Sequence, residues 1–216
     1  MRRLVTISRE YGSGGRVIGK LVARKLSLPF YDRELIDMAV ENSGLSREII
    51  ETAELRAKNS LSYSIASAMS FAEGLGPRQV PMNERLFLCQ FDVIRQIGET
   101  NEGVIVGRCA DYILKDLPGV TNVFLHADYE DRLNRIINHY GVAEKEAKNL
   151  IKDYDKARST YYYYHTSQKW GDYHNYNLSL NTSYIDDERA ADQIVSFMNN
   201  RIYKDSAAQN TEGSAK

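Results

Sequence analysis

The stretch Leu4-Val5-Thr6-Ile7-Ser8-Arg9-Glu10-Tyr11-Gly12-Ser13-Gly14-Gly15-Arg16-Val17-Ile18-Gly19-Lys20-Leu21-Val22 decides how the rest of the chain is read. Leu4–Ser8 is a short β-prone run, and the glycine cluster Gly12-Ser13-Gly14-Gly15 follows it at once. Val17, Ile18, Leu21, Val22 and Leu26 then recur at helical spacing, with Arg16, Lys20, Arg24 and Lys25 on other faces. The order is strand, glycine loop, amphipathic helix. Glycines let backbone N–H groups converge without Cβ collisions, and a helix start adds positive potential, so this order suits a bound phosphate. A glycine turn that merely joins strand to helix looks the same, because glycine-rich patterns match by chance often.

Two registers compete for the phosphate-loop pattern G-x-x-x-x-G-K-[ST]. One runs from Gly14 to Gly19-Lys20, with Leu21 where Ser or Thr belongs. It is a decoy, because Val17, Ile18, Leu21 and Val22 put Gly19 and Lys20 inside the helix, beyond its donor-rich first turn. The other register counts from the strand. Arg9 then takes the first glycine's place, Gly14 the last glycine's, Gly15 the lysine's and Arg16 that of the Ser or Thr. The backbone cradle of Gly12, Ser13, Gly14 and Gly15 survives in this register, but the lysine is lost. Arg16 or Arg9 is expected to supply its charge, since the planar guanidinium fork binds phosphate well.

Working outward, Phe30-Tyr31, Val104–Val106, Val120–His126 and Asn177–Asn181 read as strands. Helices are expected over 33–41, Ser46 to about Lys58, Asn83–Glu99, Asp128 to about His139, Ala143 to about Tyr164, and Asp187–Ile202. Residues 59–81, rich in serine and ending in Gly74-Leu75-Gly76-Pro77, read as a mobile helical insert with a loop. Strands alternating with helices of ten or more residues predict a parallel sheet wrapped on both faces, with ligands beyond the carboxyl ends of the strands. Ser8, Gly107 and His126 follow three of those ends.

Bulk composition sets limits. The 216 residues are 43% hydrophobic and 26% charged with a net charge of -1, enough for one α/β domain with a small lid. Nothing argues for general affinity for nucleic acid or acidic membranes. No apolar run approaches the ~18 residues of a membrane helix. The start lacks a signal-peptide pattern, and Cys89 and Cys109 are isolated, so a reduced, cytoplasmic protein is expected. Neither cysteine nor histidine shows metal-ligand spacing, and no protein metal site is predicted.

Single residues carry alternatives. Arg108, just after a buried strand, either binds a ligand or makes a structural ion pair. Asp155 and Arg158, at i and i+3, either grip a ligand or pair with each other. Asp111 either caps the next helix or holds Mg²⁺ through water. Tyr161-Tyr162-Tyr163-Tyr164 and Trp170 are expected to pack rather than stack on a base. Cys109 beside Arg108 is the thiol whose pKa a neighbour could lower.

The motifs together resemble the cytidylate kinase-like family. The similarity rests on residues 7–15 with Phe30-Tyr31-Asp32-Arg33-Glu34-Leu35-Ile36, on Gly107-Arg108-Cys109-Ala110-Asp111, on Asp155-Lys156-Ala157-Arg158, and on Leu178–Ser183. It spans roughly residues 3–202. The resemblance implies a P-loop NTPase-like three-layer α/β/α fold over 1–203, with a helical nucleoside-monophosphate-binding insert near 33–85 and a short lid near 128–165. Residues 204–216 are expected to be a disordered tail. It also implies transfer of the γ-phosphoryl of ATP, with Mg²⁺, to CMP or dCMP. Arg16, Arg108 and Arg158 would be catalytic. Arg9, Gly12, Ser13, Gly14, Gly15 and Arg16 would hold the triphosphate. Asp32, Arg33, Arg85, Arg108, Asp111, Asp155 and Arg158 would hold the acceptor. The chain departs from the family at Gly15, at Arg33 beside the base, at Lys152 for the first lid aspartate and at Ile151 for an arginine. A nucleotide or phosphate binder with a degenerate loop, or a kinase of another small acceptor, fits the same residues.

Overall fold

The computed structural model describes residues 3–32, 35, 38, 82–100 and 102–200. The helices expected over 33–41 and Ser46–Lys58, the 59–81 insert and the tail lie outside the described residues, apart from Leu35 and Met38, which are helical. Among the described residues five strands form one parallel sheet: β1 (Leu4–Arg9), β2 (Phe30–Tyr31), β3 (Gly103–Val106), β4 (Val120–His126) and β5 (Leu178–Asn181). Their spatial order is β2-β3-β1-β4-β5. β1 lies between β3 and β4, with Thr6 opposite both Ile105 and Asn122. The chain runs to one side of β1, returns, and crosses to the other, so a crevice opens beyond the carboxyl end of β1.

A parallel sheet must be covered on both faces, and strand alternation divides the two cores. Val5, Ile7, Val104, Val106, Val123 and Leu125 pack with α1 (Gly15–Leu26). On the opposite face Leu4, Ile105 and Val120 pack with α2 (Met82–Thr100) and α3 (Ala110–Ile113). Next come α4 (Tyr129–Tyr140) and α5 (Glu144–Thr166), which build a third small core from Leu133, Ile136, Ala147 and Ile151. The final helix, α6 (Asp187–Asn200), sends Ala190, Ala191, Ile194 and Met198 into the α1 core.

Gly19 and Lys20 sit within α1, as the strand-counted register requires. Gly19 is where the helix approaches the sheet: an added Cβ would come 3.1 Å from Phe30 and 3.2 Å from Val106. A 3₁₀ turn at Tyr173–Asn175 was not expected, being too short to show a period, and in the four-residue α3 Asp111 lies inside the first turn while Cys109 holds the cap position. Helix α5 continues through the tyrosine run and splits it by face. Tyr162 is 3% exposed and Tyr163 is 65% exposed. Tyr161 and Trp170 pack against the α2–α3 core.

His165 ends that face, stacked on Phe87 with ring centroids 3.7 Å apart. Burial lowers its pKa to about 4 from 6.5. An unfolded chain takes up this proton near the usual value, and the folded protein only near 4. His165 therefore makes the fold lose stability as pH falls from about 6.5 to about 4. His165→Phe should flatten that part of the profile. Urea unfolding at pH 7 and pH 5 measures it, and an equal drop in both proteins would clear the imidazole of the effect.

Candidate functional site

The glycine loop is held from all sides. The Glu10 N–H donates to the Leu125 carbonyl (2.9 Å), and the Glu10 carboxylate accepts from the Ala127 N–H (3.2 Å). The Thr182 hydroxyl lies 3.0 Å from the Ser13 carbonyl and 3.1 Å from that of His126. The Tyr11 N–H donates to Asp155 Oδ1 at 2.7 Å. Gly12 and Gly14 have φ of 85° and 79°, left-handed values that cost glycine little. The first bond of α1 runs from the Ile18 N–H to the Gly14 carbonyl (3.0 Å). The N–H groups of Gly15, Arg16 and Val17 precede it and form the donor end of the helix.

Arg9, not Arg16, is the arginine whose side chain lies over Gly15. Its aliphatic stem lies across Gly15, where an added Cβ would come 2.6 Å from Arg9 Cγ. Its guanidinium reaches Gly107, where a Cβ would collide with Nη1. Arg9 and Gly15 thus reverse the usual arrangement. The basic side chain comes from the first position of the loop, and the glycine stands where the lysine would be. Burial pulls Arg9 down to about 9 from 12.5, and the positive charge of Arg158 adds to this. It remains a cation at neutral pH.

Three further guanidiniums gather there. Arg158, Arg108 and Arg16 each press the Arg9 pKa down, while Asp32 opposes them. Arg158 Nη1 donates to the Arg9 carbonyl (3.0 Å), and burial lowers its own pKa. The Arg16 side chain is 57% exposed yet turns to Asp32, Nε to Oδ2 at 2.9 Å. Arg108 follows β3 with φ of 59°, between Gly107 at 80° and Cys109 at 55°. Two successive non-glycine residues in the left-handed region mark strain of the kind found at functional sites.

Asp155 faces elsewhere. Its main partners are the Tyr11 N–H and Arg132, with Arg158 Nη1 at a looser 3.9 Å. Arg132 is buried, and its Nη1 also lies 3.5 Å from Glu10 and donates to the Tyr11 carbonyl (3.4 Å). Arg135 forms a two-pronged pair with Asp187 (2.9 and 3.0 Å) against Gly14. Neither Arg132 nor Arg135 was singled out from sequence, because arginines three apart on a polar helix read as a solvated face. Between Gly12, Arg135 and the Thr182-Ser183 exit of β5 lies a cavity of about 260 Å³.

The remaining candidates are scattered. Asp111 is buried in the first turn of α3, where Oδ2 accepts from the Tyr162 hydroxyl at 2.7 Å. Cys109 is buried, and desolvation pushes its thiol well above the usual value, so the idea of a lowered pKa beside Arg108 is wrong. Arg33 lies outside the described residues, as does the Arg85 side chain.

The exchange of Arg9 with Gly15 makes a sharp test. Gly15→Lys alone drives a side chain into the Arg9 stem and should cost about 1–3 kcal/mol. The double change Arg9→Gly with Gly15→Lys should recover most of that, together with pyrophosphate binding. Chemical denaturation and calorimetry read both. A single variant as stable as the parent would show that the Arg9 stem does not occupy that space.

Comparisons with known proteins bear on the fold and the family. A crystal structure of an uncharacterized protein from Eubacterium ventriosum ATCC 27560 is similar at 28% identity and a TM-score of 0.69, covering 93% of this chain and all of that one. Shikimate kinase from Acinetobacter baumannii, in complex with shikimate, is similar at 12% identity and a TM-score of 0.50, covering 92% and 94%; this likeness concerns the fold. Among curated proteins no significant match was found. The fold is the three-layer, parallel-sheet architecture of P-loop kinases. The model of the cytidylate kinase-like family matches residues 4–184, and with the glycine loop, Gly107-Arg108 and the polar exit of β5 all in place, the chain belongs to that family.

Proposed function

We propose that this chain is an ATP-dependent phosphotransferase whose acceptor is a nucleoside monophosphate, with CMP and dCMP the first to try. Family and fold support a phosphotransferase. The observation that carries the finer reading is the gathering of Arg9, Arg16, Arg108 and Arg158 beside the loop, with Asp32 the carboxylate that opposes them at Arg9. Clustered cations of this kind favour a polyanion, and phosphoryl transfer needs positioned positive charge more than covalent help.

In this reading the amides after Gly12-Ser13-Gly14, together with Arg9 and Arg16, hold the triphosphate. The cavity of about 260 Å³ beside Gly12 takes the rest of the donor. Arg108 and Arg158 bridge the transferring group and the acceptor phosphate, with Asp32, Arg33 and Arg85 on the acceptor side. Asp155 is a positioning residue, fixing the loop through the Tyr11 N–H. The α4–α5 hairpin serves as the lid and the 33–85 segment as the acceptor-binding insert. A small-molecule nucleotide substrate and two unpaired cysteines suit the cytoplasm.

Mg²⁺ bound to phosphates needs only one or two protein carboxylates. Among the described residues no three His, Cys, Asp or Glu gather as a metal site, but Asp32 stands beside the loop and fits that lesser demand. Arg16 occupies the place of the usual hydroxyl ligand. When bound, the ion would neutralise charge on the phosphate oxygens.

The exchange at Arg9 and Gly15 favours one second reading, a nucleotide binder that does not turn over. Asp32 paired with Arg16 leaves room for a third, transfer to another small acceptor. A coupled assay of ADP formation over CMP, dCMP, the other nucleoside monophosphates and small hydroxyl acceptors separates them. Turnover with a monophosphate is expected. Binding of ATP by calorimetry without turnover would support the binder instead.

Arg158→Ala and Arg108→Ala should each lower kcat/KM by roughly 10²–10³, the usual loss of one donor to transition-state charge. Thermal stability without nucleotide should fall far less than activity does, since each change gives up local contacts but also removes a guanidinium from a crowded cationic cluster. A fall in stability matching the fall in activity would reassign these arginines to the fold.

A further inference from the structure

A second polar cavity, of about 250 Å³, lies on the sheet face away from α1, over Thr6 and Asn122. Asp111, Lys115, Asn122, Tyr162, Gln168 and Tyr176 line it, and it shares no lining residue with the cavity beside the loop. It is smaller than the about 300–1,000 Å³ common for drug-sized ligands.

Its floor holds polar groups sealed from water. Asp111 and Tyr162 are each 3% exposed and Tyr176 is 9% exposed. The Tyr162 hydroxyl lies 2.7 Å from Asp111 Oδ2 and 3.2 Å from Gln168 Oε1, with one proton for both. Asp111 Oδ1 and Tyr176 Oη are buried and make no hydrogen bond of good geometry, although the Ser8 hydroxyl and the N–H groups of Asp111, Tyr112 and Gly171 lie near them. Buried groups left unsatisfied cost about 1–3 kcal/mol each, more when charged. No Lys or Arg among the described residues forms an ion pair with Asp111; the Lys115 amine sits over the Tyr112 ring, 4.6 Å from its centroid.

We propose that this cavity binds a small organic amine, its primary ammonium head seated on Asp111 Oδ1 with Tyr176 Oη as a second acceptor. An ammonium supplies the positive charge that the floor lacks, together with donors that can be aimed at Asp111 Oδ1 and Tyr176 Oη. A neutral polyol supplies the donors alone and leaves a buried carboxylate without a countercharge. Burial raises the Asp111 pKa to about 6, which still leaves it ionised at pH 7. Tyr162 follows Arg158 by four residues on α5, so the amine site and the arginine cluster brace the same helix.

The test uses the full chain at pH 7.5 and constant ionic strength, and does not depend on turnover. Ethanolammonium and methylammonium chloride are titrated against ethylene glycol, followed by calorimetry and by backbone amide shifts at 111–115 and 168–177. Saturable binding of the amines is expected, with Asp111→Asn weakening it by about tenfold or more, as loss of a charged hydrogen bond would. Should Asp111→Asn not fold, Tyr176→Phe keeps the ring in place and should weaken binding severalfold. Failure of both amines to saturate, glycol binding as tight as theirs, or unchanged affinity in whichever variant folds would overturn the proposal. So would a structure from crystals soaked in ethanolamine with only water on Asp111 Oδ1.

Discussion

The Arg9 side chain laid across Gly15 is the contact on which the functional end of this molecule depends. A basic group must reach the space above the loop, and the usual route is a lysine from the first turn of the helix. Here the route is reversed, and three positions are fixed together. Gly15 must lack a Cβ because the Arg9 stem is there, and Gly107, where the guanidinium ends, is held at a left-handed φ of 80° that favours glycine. Arg158 must come from α5 to the Arg9 carbonyl to close the group. One exchange in the loop thus constrains the end of β3 and the middle of α5, 149 residues away in sequence.

The loop tolerates this charge because it is fastened by other means. Glu10 ties it to β4, Thr182 ties it to the β5 exit, and Asp155 with Arg132 ties it to the α4–α5 hairpin. Tyr11 inserts its ring between these anchors, stacked on Tyr154 at 4.2 Å, with the Arg158 guanidinium 5.7 Å from its centroid. These are short-range contacts made largely out of water, where hydrogen bonds to charged groups count for more. A loop held this way presents its amides in a fixed array, and that preorganisation is what an oxyanion-stabilising site requires.

The sequence made the frame legible because the frame is periodic. Strands β1, β3 and β4 are short apolar runs, α1 repeats every three to four residues, and the glycines between β1 and α1 mark a tight loop there. The choice between the two glycine registers was also legible, since Val17, Ile18, Leu21 and Val22 placed Lys20 inside a helix. Arg9, Arg16, Arg108 and Arg158 were readable as candidates. Which of Arg9 or Arg16 lies over the lysine's position was not, because that turns on a side-chain path across Gly15. Arg132 and Arg135 were invisible for a related reason: a buried arginine and a solvated one occupy the same helical spacing. The Asp111 cavity was likewise hidden, since its walls come from α3, α5 and the turn before β5, which no local pattern connects.

The cationic cluster has a further consequence for how the protein balances folding against binding. A guanidinium pulled down to about 9 is one whose surroundings disfavour its charge. An isolated fold would be more stable with an apolar group there, as buried charges generally show. The cluster therefore makes sense through what an anion returns to it. Under the proposed function, each phosphate oxygen that enters would relieve repulsion among several arginines at once. The backbone at Arg108 and Cys109 is left-handed as well, just before α3 begins. Stability given up at the loop is recovered in the apolar cores on either side of β1, where no residue has to serve a ligand.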